Sequence, residues 1–316
     1  MKKPLRVMLT GGLGNQLFQL AAALYFAENR PVELVDSIGR PRTNSFGLPD
    51  IDSFALPLDV LIIKSDKYSM LISKTSGFML RKGLNPHWYE KNKLFEFLTQ
   101  LLSSILLSIY LKDKVALSAS NNVGYSDDIK ASGSKFLVGY FQSYKWLENT
   151  AVLKKMHNMS PKNKDDSNFL NWIKLAKSEK PIILHLRLGD YRNENSFGIP
   201  NPDYYKRSLD YILKLNSNNK VWIFSDETDS ALDFLPQEYL DHYKLIDTKN
   251  LDSAQTLEIM KYGTSYVIGN STFSWWAATL SKTNSPIVVA PSPWFKSLEE
   301  PESLIPNNWI RVSAWE

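Results

Sequence analysis

Between residues 181 and 291 the chain repeats one pattern, a short β-rich run followed by a stretch of helical character. The runs are PIILHLRL (181–188), KVWIFSD (220–226), KLIDT (244–248), SYVIGN (265–270) and PIVVAP (286–291). Among them lie PDYYKRSLDYILKLN (202–216), SAQTLEIMKY (253–262) and FSWWAATLSK (273–282). Asn201 ahead of Pro202 reads as a cap followed by proline at the first helical position. Strand and helix in alternation imply a parallel sheet faced by helices, because parallel strands are joined by crossovers. Sheets of this kind take ligands beyond the carboxyl ends of their strands.

The first half is less regular. LRVMLT (5–10) reads as a strand and leads into GGLGN, a helical pattern from Asn15 to Glu28, and a second strand, VELVD (32–36). Residues 37–122 show no sustained period and carry Pro41, Pro49, Pro57 and Pro86, whereas KFLVGYFQ (135–142) reads as a buried strand. The polar, breaker-rich segment NMSPKNKDDSN marks a linker. We therefore expect an N-terminal domain over 1–157, a linker at 158–167 and a C-terminal domain over 168–316.

Composition removes several classes of function. The chain of 316 residues has no cysteine, which excludes disulfides, zinc–thiolate sites and thiol catalysis. A net charge of +4 and a pI near 8.9 come without a run of basic residues or a basic–aromatic stripe, so no nucleic-acid partner is expected. The apolar stretch at the N-terminus is too short for a secretory leader, which makes a cytoplasmic location the expectation. The segment FLTQLLSSILLSIYL (Phe97–Leu111) falls short of the roughly 20 apolar residues of a spanning helix. It reads as a buried helix or as a peripheral contact with the inner membrane face.

Three polar clusters stand at expected strand ends. HLRLGDY contributes His185, Arg187 and Asp190; FSDETD contributes Asp226 and Glu227; GNSTF contributes Asn270, Ser271, Thr272 and Phe273. Arginine on an apolar strand has to meet an anion, either a ligand or an internal carboxylate such as Asp190 or Asp226. His185 shares the strand face of Arg187. Ser271 and Thr272 open a helix, where hydroxyls and free N–H groups suit phosphate oxygens or serve as plain caps. Asp226 could accept from a ribose hydroxyl or a base N–H. No carboxylates converge in the manner of a magnesium or manganese site, and no metal is expected.

The GGLGN turn has its own ambiguity. Gly12 and Gly14 after a strand, with Asp36 about twenty residues on, echo a dinucleotide fingerprint and would suit an NAD-dependent oxidoreductase. The echo breaks at Leu17, where close helix–sheet contact wants a small residue. A sugar- or nucleotide-binding protein without turnover is a further alternative.

Taken together, GGLGNQLFQLAAALYFA, GYFQSYKWLEN (139–149), HLRLGDY (185–191), FSDE (224–227) and GNSTFSWWAATL (269–280) resemble, in order, the motifs of the family 11 α-1,2-fucosyltransferases. The resemblance runs from Gly11 to about Leu280. It implies an α/β, GT-B-like fold, with two Rossmann-like halves facing across a cleft and the C-terminal parallel sheet binding the donor. It also implies GDP-fucose as donor substrate, no cofactor, inversion at the anomeric carbon and an oligosaccharide or lipid-linked glycan acceptor. By the same resemblance Arg187, Asp190 and His185 form the catalytic motif. Asn15, Gly14, Arg187, Asp226, Ser271, Thr272 and Phe273 contact the donor. The chain departs from the pattern at Leu188, where many members carry a second arginine. Relatives of the family also resemble enzymes transferring other GDP-linked deoxysugars such as colitose.

Overall fold

Leu5–Met8 (β1) and its neighbours Val32–Asp36 (β2), Val60–Lys64 (β3), Val115–Ser118 (β4) and Phe136–Gly139 (β5) form one sheet, in the order β3-β2-β1-β5-β4. Every pairing is parallel. The computed structural model describes residues 2–36, 47–67, 69–70, 115–118, 124–125, 135–215, 220–301 and 303–315. The apolar segment Phe97–Leu111 lies outside the described residues. The chain divides into two units, Met1–Met159 with Pro301–Leu304, and Ser160–Glu300 with Ile305–Glu316. Residues 301–304 join the first unit through Ser303, whose carbonyl accepts from the Tyr144 N–H and whose hydroxyl lies 2.8 Å from that of Ser143.

In the first unit the strand order reverses at β1, and the GGLGN turn leaves its carboxyl end. Leu13–Phe26 (α1) starts there without a side-chain cap; the Gly12 carbonyl receives the N–H groups of Asn15 and Gln16. Gly11 takes φ +71°, and a Cβ on it would crowd Asn15 Nδ2, so glycine suits this corner. Leu17, Phe18, Leu20 and Ala21–Ala23 are buried, the alanines letting the helix lie close. Thr150–Asn158 (α2) is capped by Asn149, whose Oδ1 accepts from Ala151 and Val152.

Two glutamines of α1 are wholly buried yet fully used. Gln19 Oε1 accepts from the Thr10 N–H at 3.1 Å and its Nε2 donates to the Gly139 carbonyl at 2.8 Å. Gln16 Nε2 donates to the Gly11 carbonyl at 2.9 Å while its Oε1 accepts from the Ile51 N–H at 2.8 Å. Ile51 belongs to the turn Asp50–Ser53, so the Asp50-Ile51-Asp52 triplet helps to brace α1. Amides thus pair the backbone groups that the ends of β1 and β5 leave over.

The second unit holds Ile182–Leu186 (β6), Val221–Ser225 (β7), Tyr243–Leu245 (β8), Ser265–Ile268 (β9), Ile287–Ser292 (β10) and Ile310–Ser313 (β11). Their order is β8-β7-β6-β9-β10-β11, again all parallel. This is the doubly wound order, with its reversal between β6 and β9. The longer helices are Ser167–Glu179 (α3), Pro202–Leu215 (α4), Ser253–Met260 (α5) and Thr272–Thr279 (α6). Asn201 Oδ1 accepts from the Tyr204 N–H at 2.8 Å, so proline and cap begin α4 as the sequence predicts. Asp252 and Gln255 close a capping box on α5.

The core beneath the reversal joins Ile182, Leu184, Leu186 and Leu188 to Tyr204, Tyr205, Leu209 and Ile212 of α4. The polar stretch at 158–167 is structured: Asp166 caps α3 and the Asn163 carbonyl accepts from Gln255 Nε2. Asp166 thus satisfies a backbone N–H here, and the Gln255 side chain satisfies the Asn163 carbonyl.

Gln19→Leu keeps the volume and strands the Thr10 N–H and the Gly139 carbonyl in the interior. We expect it to lower stability by about 2–4 kcal/mol in urea unfolding. An unchanged midpoint would show that those two backbone groups find other partners.

Candidate functional site

At the reversal between β6 and β9, the backbone of one strand end holds the other. The Gly269 N–H donates to the His185 carbonyl at 3.1 Å. A Cβ on Gly269 would lie 3.1 Å from the Tyr205 hydroxyl and 3.3 Å from that carbonyl, so glycine keeps the two strand ends tightly joined. Into this corner β6 delivers its last side chains in alternation. Leu184, Leu186 and Leu188 enter the α4 core, while His185 and Arg187 take the other parity.

Arg187 keeps 16% of its side chain exposed and is held by two carboxylates. Its Nε and Nη2 each lie 2.8 Å from Asp190 Oδ1, and its Nη1 lies 3.1 Å from Asp226 Oδ2. Burial pulls its pKa down, but the Asp190 hydrogen bond and both carboxylate charges outweigh that and raise it. The guanidinium therefore stays charged. Its other face lies near Tyr191, with Cζ 5.9 Å from the ring centroid.

Asp226 is more committed than the sequence suggests. Its second oxygen, Oδ1, accepts from the Leu188 N–H at 2.9 Å, and Gly189 allows the approach, since a Cβ there would lie 2.8 Å from Oδ2. The internal-carboxylate reading of Arg187 thus holds for both aspartates. Neighbouring Glu227 pairs with Arg192 at 2.8 Å, and Arg192 Nη2 also donates to Ser230 Oγ.

His185 is buried with its ring 5.9 Å from that of Phe273 at the start of α6. Its Nδ1 has no hydrogen-bond partner. Desolvation, reinforced by the Arg187 charge, lowers its pKa to about 3, so the ring is neutral near pH 7 and is no proton donor there. Ser271 is the N-cap of α6 and accepts from the Phe273 N–H, while Thr272 is the first helical residue. Capping is therefore the observed task of Ser271, and its hydroxyl proton remains a donor to offer.

Two further residues shape the same corner: Asn270, one of the strand-end polar residues, and Tyr191, which sequence reasoning did not single out. Asn270 Nδ2 donates to the carbonyls of Phe197 and Gly198, tying the loop after β6 to the turn before α6. The Tyr191 hydroxyl donates to the Asn270 carbonyl at 3.3 Å. Both stand inside quoted motifs, but their role is to join two loops, and no single motif reveals that.

Arg187, His185, Asp190, Asp226, Ser271, Thr272 and Phe273 thus gather in the second unit. Asn15 and Gly14 belong to the first, at the carboxyl end of β1. There Gln142 Nε2 donates to Asn15 Oδ1 at 2.9 Å, leaving Gln142 Oε1 buried without a partner. Gln142 lies in the mid-chain motif, and only the fold reveals that β5 carries it to the glycine turn. Among the described residues, no three His, Cys, Asp or Glu side chains form a group that could hold a metal ion. Nor is any described helix long and apolar enough to cross a membrane.

The neutral state of His185 links stability to pH. The folded ring stays unprotonated down to about pH 3, whereas the unfolded chain takes up that proton below its ordinary 6.5, so stability falls as pH drops through this window. Between pH 7.5 and 5.5 the wild type should lose about 1.4 kcal/mol more than His185→Phe or His185→Gln in urea titrations. Equal losses would show that His185 can be protonated in the folded chain.

Comparison with known proteins accords with these motifs. The family description "Glycosyl transferase family 11" matches residues 128–313. The chain is 24% identical over 323 residues to the O-antigen biosynthesis glycosyltransferase WbnK of Escherichia coli, covering 96% of this chain and 99% of that protein. It is 28% identical over 201 residues to an alpha-1,2-colitosyltransferase of Escherichia coli, covering 60% of this chain and 67% of that one. Among solved structures, fucosyltransferase NodZ from Bradyrhizobium aligns with a TM-score of 0.49 at 13% identity, over 89% of this chain and 93% of that chain. With its family match spanning the reversal that carries Arg187 and the start of α6, the chain belongs to glycosyl transferase family 11.

Proposed function

We propose that this glycosyltransferase moves L-fucose from GDP-fucose to the 2-hydroxyl of a galactoside, with inversion and without a metal ion. The observation that carries the reading is Arg187, a charged guanidinium fixed at the strand-order reversal beside the N-terminus of α6. Reversals of this kind bind nucleotides, and helix N-termini favour phosphate. The curated relatives, named for O-antigen synthesis and for colitose transfer, support a glycan acceptor and a deoxysugar donor.

In this reaction the acceptor oxygen forms its bond to the anomeric carbon as the bond from that carbon to the β-phosphate oxygen breaks. The electron pair leaves on GDP, and the hydroxyl proton passes to a base. Arg187 and the first N–H groups of α6 stabilise the charge growing on the leaving phosphate. Asp190 is the carboxylate available to take the proton. His185, neutral and buried, serves as a wall beside Phe273 in this scheme. Acceptor contacts come from the 37–122 region, most of it outside the described residues. We place the reaction in the cytoplasm, with peripheral membrane contact where lipid-linked acceptors reside.

The match to a colitosyltransferase favours one second reading, transfer of colitose from its GDP derivative. Incubation with GDP-fucose and GDP-colitose over a panel of galactosides separates the two. We expect turnover with GDP-fucose, and exclusive use of GDP-colitose would replace the donor named here. Arg187→Ala should lower turnover by at least about 10²-fold while the chain stays folded. Retained activity would remove the phosphate role from Arg187, and tight binding of NAD in place of GDP would overturn the transferase reading.

A further inference from the structure

A guanidinium that is to hold a diphosphate needs donors to offer it, and each nitrogen of the Arg187 guanidinium already lies against a carboxylate oxygen. Nε and Nη2 point to Asp190 Oδ1 and Nη1 to Asp226 Oδ2. Arg192, the next arginine along the chain, is likewise engaged by Glu227 and Ser230. Asp190, Asp226 and Glu227 therefore outnumber Arg187 and Arg192 in these ion pairs, and an incoming polyanion meets like charge as well as unlike. The donor reading needs a way to relieve that repulsion at Arg187 itself.

The two carboxylates on Arg187 differ in how firmly they are held. Asp226 is 26% exposed, is anchored by the Leu188 N–H, and packs against the backbone of Gly189. Asp190 is 53% exposed and opens a short 3₁₀ turn, Asp190–Asn193. An ion pair with one half-exposed partner exchanges with solvent and competing ions at small cost, while one anchored to the backbone does not. Phosphate oxygens also match the guanidinium fork that Asp190 grips through a single oxygen.

We propose that Asp190 is the displaceable counter-ion of Arg187, occupying the Nε and Nη2 donors until the diphosphate of the nucleotide takes them, while Asp226 stays and keeps the guanidinium aimed. This rests on the GDP-sugar reading and adds a division of labour to it. Asp226 is a positioning residue, and Asp190 sets how strongly a diphosphate must compete. The Asp190 side chain, released, is then on hand at the reacting centre.

Calorimetric titration of the full chain with GDP in EDTA tests this. Asp190→Asn and Asp190→Ala should each bind GDP about three- to tenfold tighter than the wild type, although both turn over more slowly. Inorganic pyrophosphate should follow the same order, because the competition is for phosphate oxygens. Asp226→Asn should weaken GDP binding, and urea unfolding of each variant checks that the fold persists. A purely structural Asp190 would give weaker or unchanged binding in both variants, which would overturn the proposal and leave the donor reading standing. Binding to the wild type that appears only with added Mg²⁺ and vanishes in Asp190→Asn would assign the carboxylate to a cation and overturn it too. No binding of GDP to the wild type under any of these conditions would overturn the donor reading and this inference together.

Discussion

The strand that delivers Arg187 carries no other charge, and a guanidinium leaving it at 16% exposure has to be answered by anions from its neighbours. Strand order decides which neighbours can reach. β7 and β9 flank β6, so β7 supplies Asp226 and the turn after β6 supplies Asp190, while β9 supplies the turn that opens α6. The glycines of this corner follow from the same need. Gly189 lets Asp226 approach the backbone, and Gly269 lets two strand ends and the Tyr205 hydroxyl share one place. One buried charge thus determines which side chains surround it and where the backbone must be bare.

The first unit solves a related problem without charge. Its reversal at β1 also leaves backbone groups over, and Gln16 and Gln19 pair with them through amides that need no counter-ion. Gln142 extends the set by holding Asn15. An amide network fixes geometry while leaving the local field small, whereas the Arg187 network fixes geometry around a strong field.

Much of this was legible in the sequence where a residue's local pattern and its tertiary duty coincide. The β-rich runs, the Asn201 cap and the polar clusters at strand ends follow from periodicity and cap chemistry. β11 went unseen because IRVS alternates weakly, and its place at the sheet edge depends on pairing with β10. β3 and β4 were hidden in a stretch whose prolines suggest loops. At the site, the motifs named Arg187, Asp190 and Asp226, but whether Asp226 faces a ligand or the Leu188 N–H is decided by the spacing of β6 and β7. Gln142 and Asn15 stand far apart in the chain, and only the parallel order of β1 and β5 brings them together.

Leu188 shows why a motif letter cannot be converted directly into a site charge. Its side chain is fully buried in the α4 core with Leu184 and Leu186, while its N–H faces Asp226. An arginine on this backbone would place a guanidinium among apolar side chains, so leucine is what this strand end accommodates. Arg192, one turn further on and more exposed, is tied to Glu227. The buried charge therefore falls to Arg187 alone. A lone guanidinium held by two fixed carboxylates would have little attraction left for a diphosphate; held by one fixed and one exposed, it keeps its aim and can still exchange partners.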